Sequence, residues 1–379
     1  MSEFKVLGRE DANSVESILA DDAIDFGTAV HATQVGGDAI FTWDYERTRE
    51  GLGKLYERAK TSQWNGSTDL DWSIDVDVEK VAIEMQVAIA QLRERLLTLP
   101  NSPLKSWGEA QWTKLAIEAF NWRMSQFLHG EQGALICTAK IVETVPWIDA
   151  KYYASTQVMD EARHVEVFAR YLDTKLEGHY PVNPALQLLI DDIISDSRWD
   201  MTYMGMQIMI EGLALAAFGF MHAFTQEPLL KQLLRYVMSD EARHVAFGVL
   251  SLQEYYQGLG GKEIRERQEF AFEAALRMRD RLMMHAVWEQ CGIDRESITR
   301  MLFEVQKPGV NPFQAALFSK IVPNCKKLGL LDAGDGWLRD RFTEIGVIEY
   351  EDAPDTEVEY ALLDAVAQDR EADREAARA

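Results

Sequence analysis

The pentapeptide Asp-Glu-Ala-Arg-His occurs twice in this chain, at Asp160–His164 and at Asp240–His244, eighty residues apart and in otherwise unlike surroundings. Each copy runs on into apolar residues, "VEVF" in the first case and "VAFG" in the second. Within each copy a Glu and a His stand three apart, Glu161 with His164 and Glu241 with His244. On a helix that spacing places both side chains on one face, a turn apart, so that they can bind one ion.

A single Glu-x-x-His arises easily by chance and is commonly a surface or capping feature. The rest of the repeat changes its meaning. Thirty residues before Glu161 stands Glu131, in "FLHGEQGALI", and thirty residues before Glu241 stands Glu211, in "IMIEGLALAA". Two antiparallel helices bring into register the residues equidistant from their turn, so Glu131 should face Glu161 and Glu211 should face Glu241. Two such hairpins packed together converge four Glu and two His on one interior point. That is the ligand set of di-iron and di-manganese carboxylate bundles. A set of buried salt bridges is a poor alternative, because the motif supplies only Arg163 and Arg243 and each unpaired buried carboxylate costs several kcal/mol.

Hard carboxylates with two imidazoles suit Fe or Mn better than Zn, whose structural sites are usually closed by thiolates. Two Fe ions are expected, with Mn as the alternative at one or both positions. Glu131, Glu161 and His164 would hold one ion and Glu211, Glu241 and His244 the other, with Glu161 and Glu241 as bridges. A metal-bound His normally gives its second ring N–H to a carboxylate. Asp160 and Asp240 point sideways from the bridging Glu. They are expected to orient His244 and His164 respectively, with Arg163 and Arg243 neutralising them; the simpler alternative is an Asp-to-Arg pair at i,i+3 within each helix.

Helical periodicity dominates the chain and hairpin signals are scarce, so the fold class should be all-α: a four-helix bundle with a buried di-metal site, extended by N- and C-terminal helices. Ser106 and Glu109 form a capping-box signature for a first helix that ends at Val145 before Pro146. A second helix runs from near Asp149 to Leu176, a third resumes after "EGHYPVNPA" and continues to Phe224, and a fourth ends at "GLGG". Residues 1–351 are read as one helical domain, with its core at about 106–258 and flanking helices in 1–105 and 259–351. The flanks should include helices near Trp43–Lys60 and Val78–Leu99 and a pair around Ile298–Leu328. Residues 352–379 are read as an acidic, flexible tail. The apolar run Met204–Met221 is nearly long enough to span a bilayer, but Gln207 and Glu211 within it favour a buried core helix.

The 39 basic residues against 62 acidic ones leave a net charge of −23, which disfavours nucleic acid and anionic membranes as partners. Three cysteines without framework spacing, and an N-terminus without a signal-peptide pattern, point to the cytoplasm.

The residues just described resemble the ferritin-like superfamily of di-iron carboxylate proteins. The match is strongest to its ribonucleotide-reductase-small-subunit-like branch, which includes bacterial multicomponent monooxygenases, arylamine oxygenases, acyl-carrier-protein desaturases and ligand-binding oxidases. Leu55–Trp72, "LYERAKTSQWNGSTDLDW", also resembles a segment of that branch. The resemblance implies activation of O2 as cosubstrate by a reduced di-iron centre, with electrons from a reductase or a ferredoxin-type donor. The chain departs from the subfamilies at several positions. Radical-generating subunits place a Tyr four residues after the first motif His, where this chain has Phe168. Monooxygenases and desaturases often carry a Thr one turn beyond the second lone Glu, where Ala214 and Leu215 stand. The additional His of arylamine oxygenases would fall at Val237.

Helical spacing nominates Thr138, Gln157, Phe168, Gln207, Ala214, Leu215 and Gly248 as lining of a substrate pocket. Gly248 replaces the repeat-related Phe168, and the smaller residue is expected to leave volume for substrate or O2. The leading expectation is an O2-dependent monooxygenase or oxidase acting on a small, largely apolar or aromatic molecule. The alternatives are a radical-generating or ferroxidase-type protein, or an acyl desaturase. The long helices allow a homodimer.

Overall fold

The computed structural model describes residues 30–353, apart from 86, 177 and 306–311, together with residues 15, 16 and 19. From residue 354 onward, the stretch expected to be a flexible tail lies outside the described residues, as does nearly all of 1–29. Among the described residues every regular element is helical. In chain order they are α1 (Glu50–Thr61), α2 (Val78–Glu84), α3 (Val87–Thr98), α4 (Glu109–Thr144), α5 (Ile148–Lys175), α6 (Pro184–Ser195) and α7 (Trp199–Phe224). There follow α8 (Pro228–Tyr256), α9 (Gly261–Arg281), α10 (His285–Gln290), α11 (Arg295–Val305), α12 (Pro312–Lys327) and α13 (Trp337–Glu344).

Helices α4, α5, α7 and α8 are the two predicted hairpins, and they form a four-helix bundle. The turns are set by local chemistry. Pro146 follows the end of α4, and Asp149 lies in the first turn of α5. Between α7 and α8, Glu227 caps the amides of Leu229 and Leu230 while Pro228 takes the first helical position, where its missing N–H costs nothing. Helix α1 packs across α5 and α8, α2 packs on α4, and α12 covers α7. The window of α7 with a mean hydropathy of 1.5 is 83% buried inside this assembly, as a core helix is.

Several boundaries differ from expectation. The Ser106–Glu109 capping box does not form: Ser106 Oγ donates to Pro103 O, and the helix starts after Gly108, whose N–H is taken by Gln111. The first flanking helix begins at Glu50 rather than Trp43, because residues 30–49 are held extended against the bundle. Gly36 N–H donates to Ile194 O, Ile40 N–H to Glu143 O, and the amides of Thr48 and Arg49 to the buried Asp149 carboxylate. The helix expected at 78–99 is broken near Met85 into α2 and α3. The segment expected to be continuous to Phe224 breaks at Asp196–Arg198. There Arg198 folds back on Asp196, and the buried Lys140 ammonium caps the carbonyls of Ile193, Ile194 and Asp196.

Within α7, Met204–Ile210 is a π-helix, and the Glu211 N–H reaches back to Met206 O. Such wide turns insert a residue and re-aim the side chains around them. Here the turn delivers Gln207 and Glu211 to the bundle axis.

Candidate metal centre

Glu131 comes from α4, Glu161 and His164 from α5, Glu211 from α7, and Glu241 and His244 from α8, and all six are buried. Their ligand atoms converge as two overlapping sets. Glu131, Glu161, His164 and Glu241 each offer one atom within 4.8 Å of the others, as do Glu161, Glu211, Glu241 and His244. Glu161 and Glu241 belong to both sets. His164 Nδ1 lies 3.3 Å from oxygens of Glu131 and Glu161 and 3.1 Å from Glu241 Oε1. His244 Nδ1 lies 3.2 Å from Glu161 and 3.1 Å from Glu241.

The other ring nitrogens cross over between the motif helices. His164 Nε2 is 3.1 Å from Asp240 Oδ2, and His244 Nε2 is 3.4 Å from Asp160 Oδ2. Arg163 bridges both aspartates, at 2.5 Å from Asp160 and 3.0 Å from Asp240, and Arg243 binds Asp240 and lies 3.6 Å from Asp160. The cross-helix arrangement and the i,i+3 pairs therefore coexist, because one guanidinium has enough donors for both.

Two neighbours of this network were not singled out from the sequence. Trp64 Nε1–H donates to Asp240 Oδ2 at 2.7 Å, and Gln63 donates to Asp160 Oδ1 while accepting from Arg163. Both lie in the loop after α1. The only signal for them was the resemblance carried by Leu55–Trp72, which is too coarse to pick out individual residues.

Of the pocket candidates, Gln157 and Gln207 touch the cluster. Gln157 Nε2 donates to Glu161 Oε1 at 2.9 Å and to Glu211 Oε1 at 3.0 Å, and its Oε1 accepts from Gln207 Nε2 at 3.1 Å. Phe168 packs instead into an aromatic cluster with Phe127 and Phe218. Ala214 is half-buried against that same cluster, and Leu215 is buried. Thr138 Oγ1 is buried without a hydrogen-bond partner among the described residues. The volume expected beside Gly248 is absent. A Cβ at that position would collide with Cβ of Gln207 and press on Ile208, so the glycine admits the π-helical turn of α7 and not a ligand.

The charge of the site tests whether it fits metal. Six buried carboxylates, those of Glu131, Asp160, Glu161, Glu211, Asp240 and Glu241, face two buried guanidiniums. The four negative charges left over match two divalent ions. Without ions the site must hold protons. Burial and the neighbouring Glu241 push the Glu131 carboxyl up to about 8. Burial together with Glu161 and Glu241 raises Glu211 well above the carboxylate range. Burial opposes charge on both imidazoles, yet the surrounding carboxylates hold His164 and His244 well above their ordinary value. Against the same burial, hydrogen bonds from Glu211 and the imidazoles keep Glu241 low, and Arg243, His164 and Arg163 keep Asp240 low. The donor set, its burial and its charge fit a pair of divalent ions.

No protein-family model matches the chain, and no curated protein does. Among solved structures, the chain is similar to variants of an R2-like ligand-binding oxidase with a reconstituted Mn/Fe cofactor. One such variant, anaerobically reconstituted, is 17% identical with a TM-score of 0.46, over 72% of this chain and 94% of that one. A second gives 17% identity and a TM-score of 0.45, over 75% and 94%. An aerobically reconstituted form gives 18% and 0.41, over 82% and 96%.

Proposed function

We propose that this chain is a di-metal oxidoreductase that uses O2 to oxidise a small, largely apolar organic molecule. The observation that carries the reading is the overlap of the two ligand sets at Glu161 and Glu241, inside a bundle that excludes water. Glu131 and His164 would hold one ion and Glu211 and His244 the other, with Glu161 and Glu241 within reach of both. Oxygen-rich donors with one imidazole per ion select iron or manganese. When bound and reduced, such a pair would supply the electrons needed to activate O2.

The chain's own residues prepare the site for that chemistry. Asp240 and Asp160 fix the ring orientation of His164 and His244, so that each Nδ1 faces the carboxylates. Arg163 and Arg243 offset the two aspartates. Gln157 pins Glu161 and Glu211 with its two amide hydrogens, and Gln207 in turn holds Gln157. The aromatic cluster of Phe127, Phe168 and Phe218 closes one flank against water. A ferredoxin-type protein or reductase is the expected electron source.

The phenylalanine at position 168 argues against a tyrosyl radical at that position, since a phenyl ring cannot form a stable phenoxyl radical, and so weakens the radical-generating alternative. Element-resolved metal analysis, followed by O2 exposure of the anaerobically iron-loaded protein under an absorbance monitor, tests the proposal. Two irons per chain and a transient visible band are expected. Fewer than two ions with no oxygen consumption would overturn it, and turnover of many ferrous ions per chain would assign a ferroxidase instead.

A further inference from the structure

The amides of Gln157 and Gln207 form a short chain that leads out of the metal site, and it ends on an unused atom. Gln157 spends both amide hydrogens on Glu161 and Glu211 and its oxygen on Gln207 Nε2. Gln207 Oε1 is left buried with no partner among the described residues. A buried acceptor without a donor is costly, and native proteins rarely keep one without a purpose.

The fold makes room for this amide specifically. The π-helical turn brings Gln207 against Gly248, where any side chain would displace it. At the repeat-related position the bundle carries Phe168, buried among aromatic rings. Met204 and Ile208, three residues before and one after Gln207 along α7, are fully buried and apolar. A buried hydroxyl without a partner among the described residues, Thr138 Oγ1, stands two turns beyond Glu131 on α4, toward the end of the bundle where Gln157 also lies.

We propose that Gln207 Oε1 is the substrate's polar anchor, accepting a hydrogen bond from an O–H or N–H group on an otherwise apolar molecule. The inference rests on the di-metal reading and narrows its substrate class. A phenol, alcohol or amine supplies the donor this atom lacks. A carboxylate or ketone presents only acceptors and would set oxygen against oxygen. The anchor lies two hydrogen bonds from Glu211, so a bound donor also stiffens the carboxylate that faces the second ion.

The test uses manganese-loaded full-length protein and two probes of nearly equal shape, phenol and toluene, titrated calorimetrically. Phenol should bind between about three- and tenfold tighter than toluene, the range one buried hydrogen bond provides. Gln207→Leu should abolish or reverse that preference, and Gly248→Ala, which displaces the amide without removing it, should weaken it. Equal binding of the two probes to the wild-type protein, binding of neither, or a preference that survives Gln207→Leu would each overturn the anchor and leave Oε1 to a trapped water. Metal content of the same samples separates the two ideas. Two ions with no phenol preference sinks the anchor alone, whereas no ions sinks the di-metal reading and the anchor with it.

Discussion

The indole N–H of Trp64 donates to Oδ2 of Asp240, the same oxygen that faces His164 Nε2, so a loop residue from outside the repeat reaches a metal-site imidazole through one carboxylate. Trp64 also stacks on Tyr236, with ring centroids 4.8 Å apart, and carries the Arg163 guanidinium over its face at 4.7 Å. Trp64→Phe keeps an aromatic ring, though a smaller one, and removes the donor. Affinity for the ion held by His164 should fall by roughly 10-fold, the lower end for loss of an outer partner of a metal ligand. Competition with a chromophoric chelator measures it. Unchanged affinity would make the indole a packing group.

The shared carboxylates should behave differently from the others. Glu161→Ala or Glu241→Ala removes a member of both ligand sets and should cost both ions. Glu131→Ala should spare the ion of the other half. Asp240→Asn should weaken metal binding by roughly 10- to 100-fold without abolishing it. Element analysis after gel filtration resolves two, one or no ions per chain for each variant.

Metal uptake should release protons. In the metal-free chain the surrounding carboxylates hold His164 and His244 well above their ordinary value, burial raises Glu211, and burial lifts Glu131 to about 8, so these four groups are the ones that favour keeping a proton. Each must lose its proton to coordinate, so apparent affinity should rise with pH, with Glu131 contributing to that rise through about pH 8. Calorimetric loading at pH 7 in buffers of different ionisation enthalpy should show net proton release. A pH-independent affinity would contradict the assignment of these ligands.

The thiols should be quiet. Burial pushes Cys137 and Cys325 up to about 12 and the half-buried Cys291 to about 11, so little thiolate exists near pH 8. An aromatic disulfide reagent should titrate three thiols in denaturant but, in the native protein, react slowly with Cys291 alone.

The six converging side chains and the crossed Asp–His pairs were legible from spacing, because helical periodicity and hairpin register are local rules that a duplicated motif states twice. Contacts that depend on how other segments drape over the bundle were not. Gln63 and Trp64 belong to a loop with no periodicity, and nothing in their own residues says which aspartate they will meet. Gly248 misled for a related reason. A missing side chain reads as space, but here the neighbouring helix widens into a π turn and fills it with Gln207. The false capping box at Ser106 shows the same limit at a helix end, where Gln111 competed for the role and won.

The duplicated half-site would, by itself, yield two interchangeable positions. The loop after α1 breaks that equivalence, since it offers an indole to one aspartate and an amide to the other. Identical motifs thus become a left and a right hand. The two ions should enter in a fixed order, and two different elements could sort themselves between positions that the motifs alone could not tell apart.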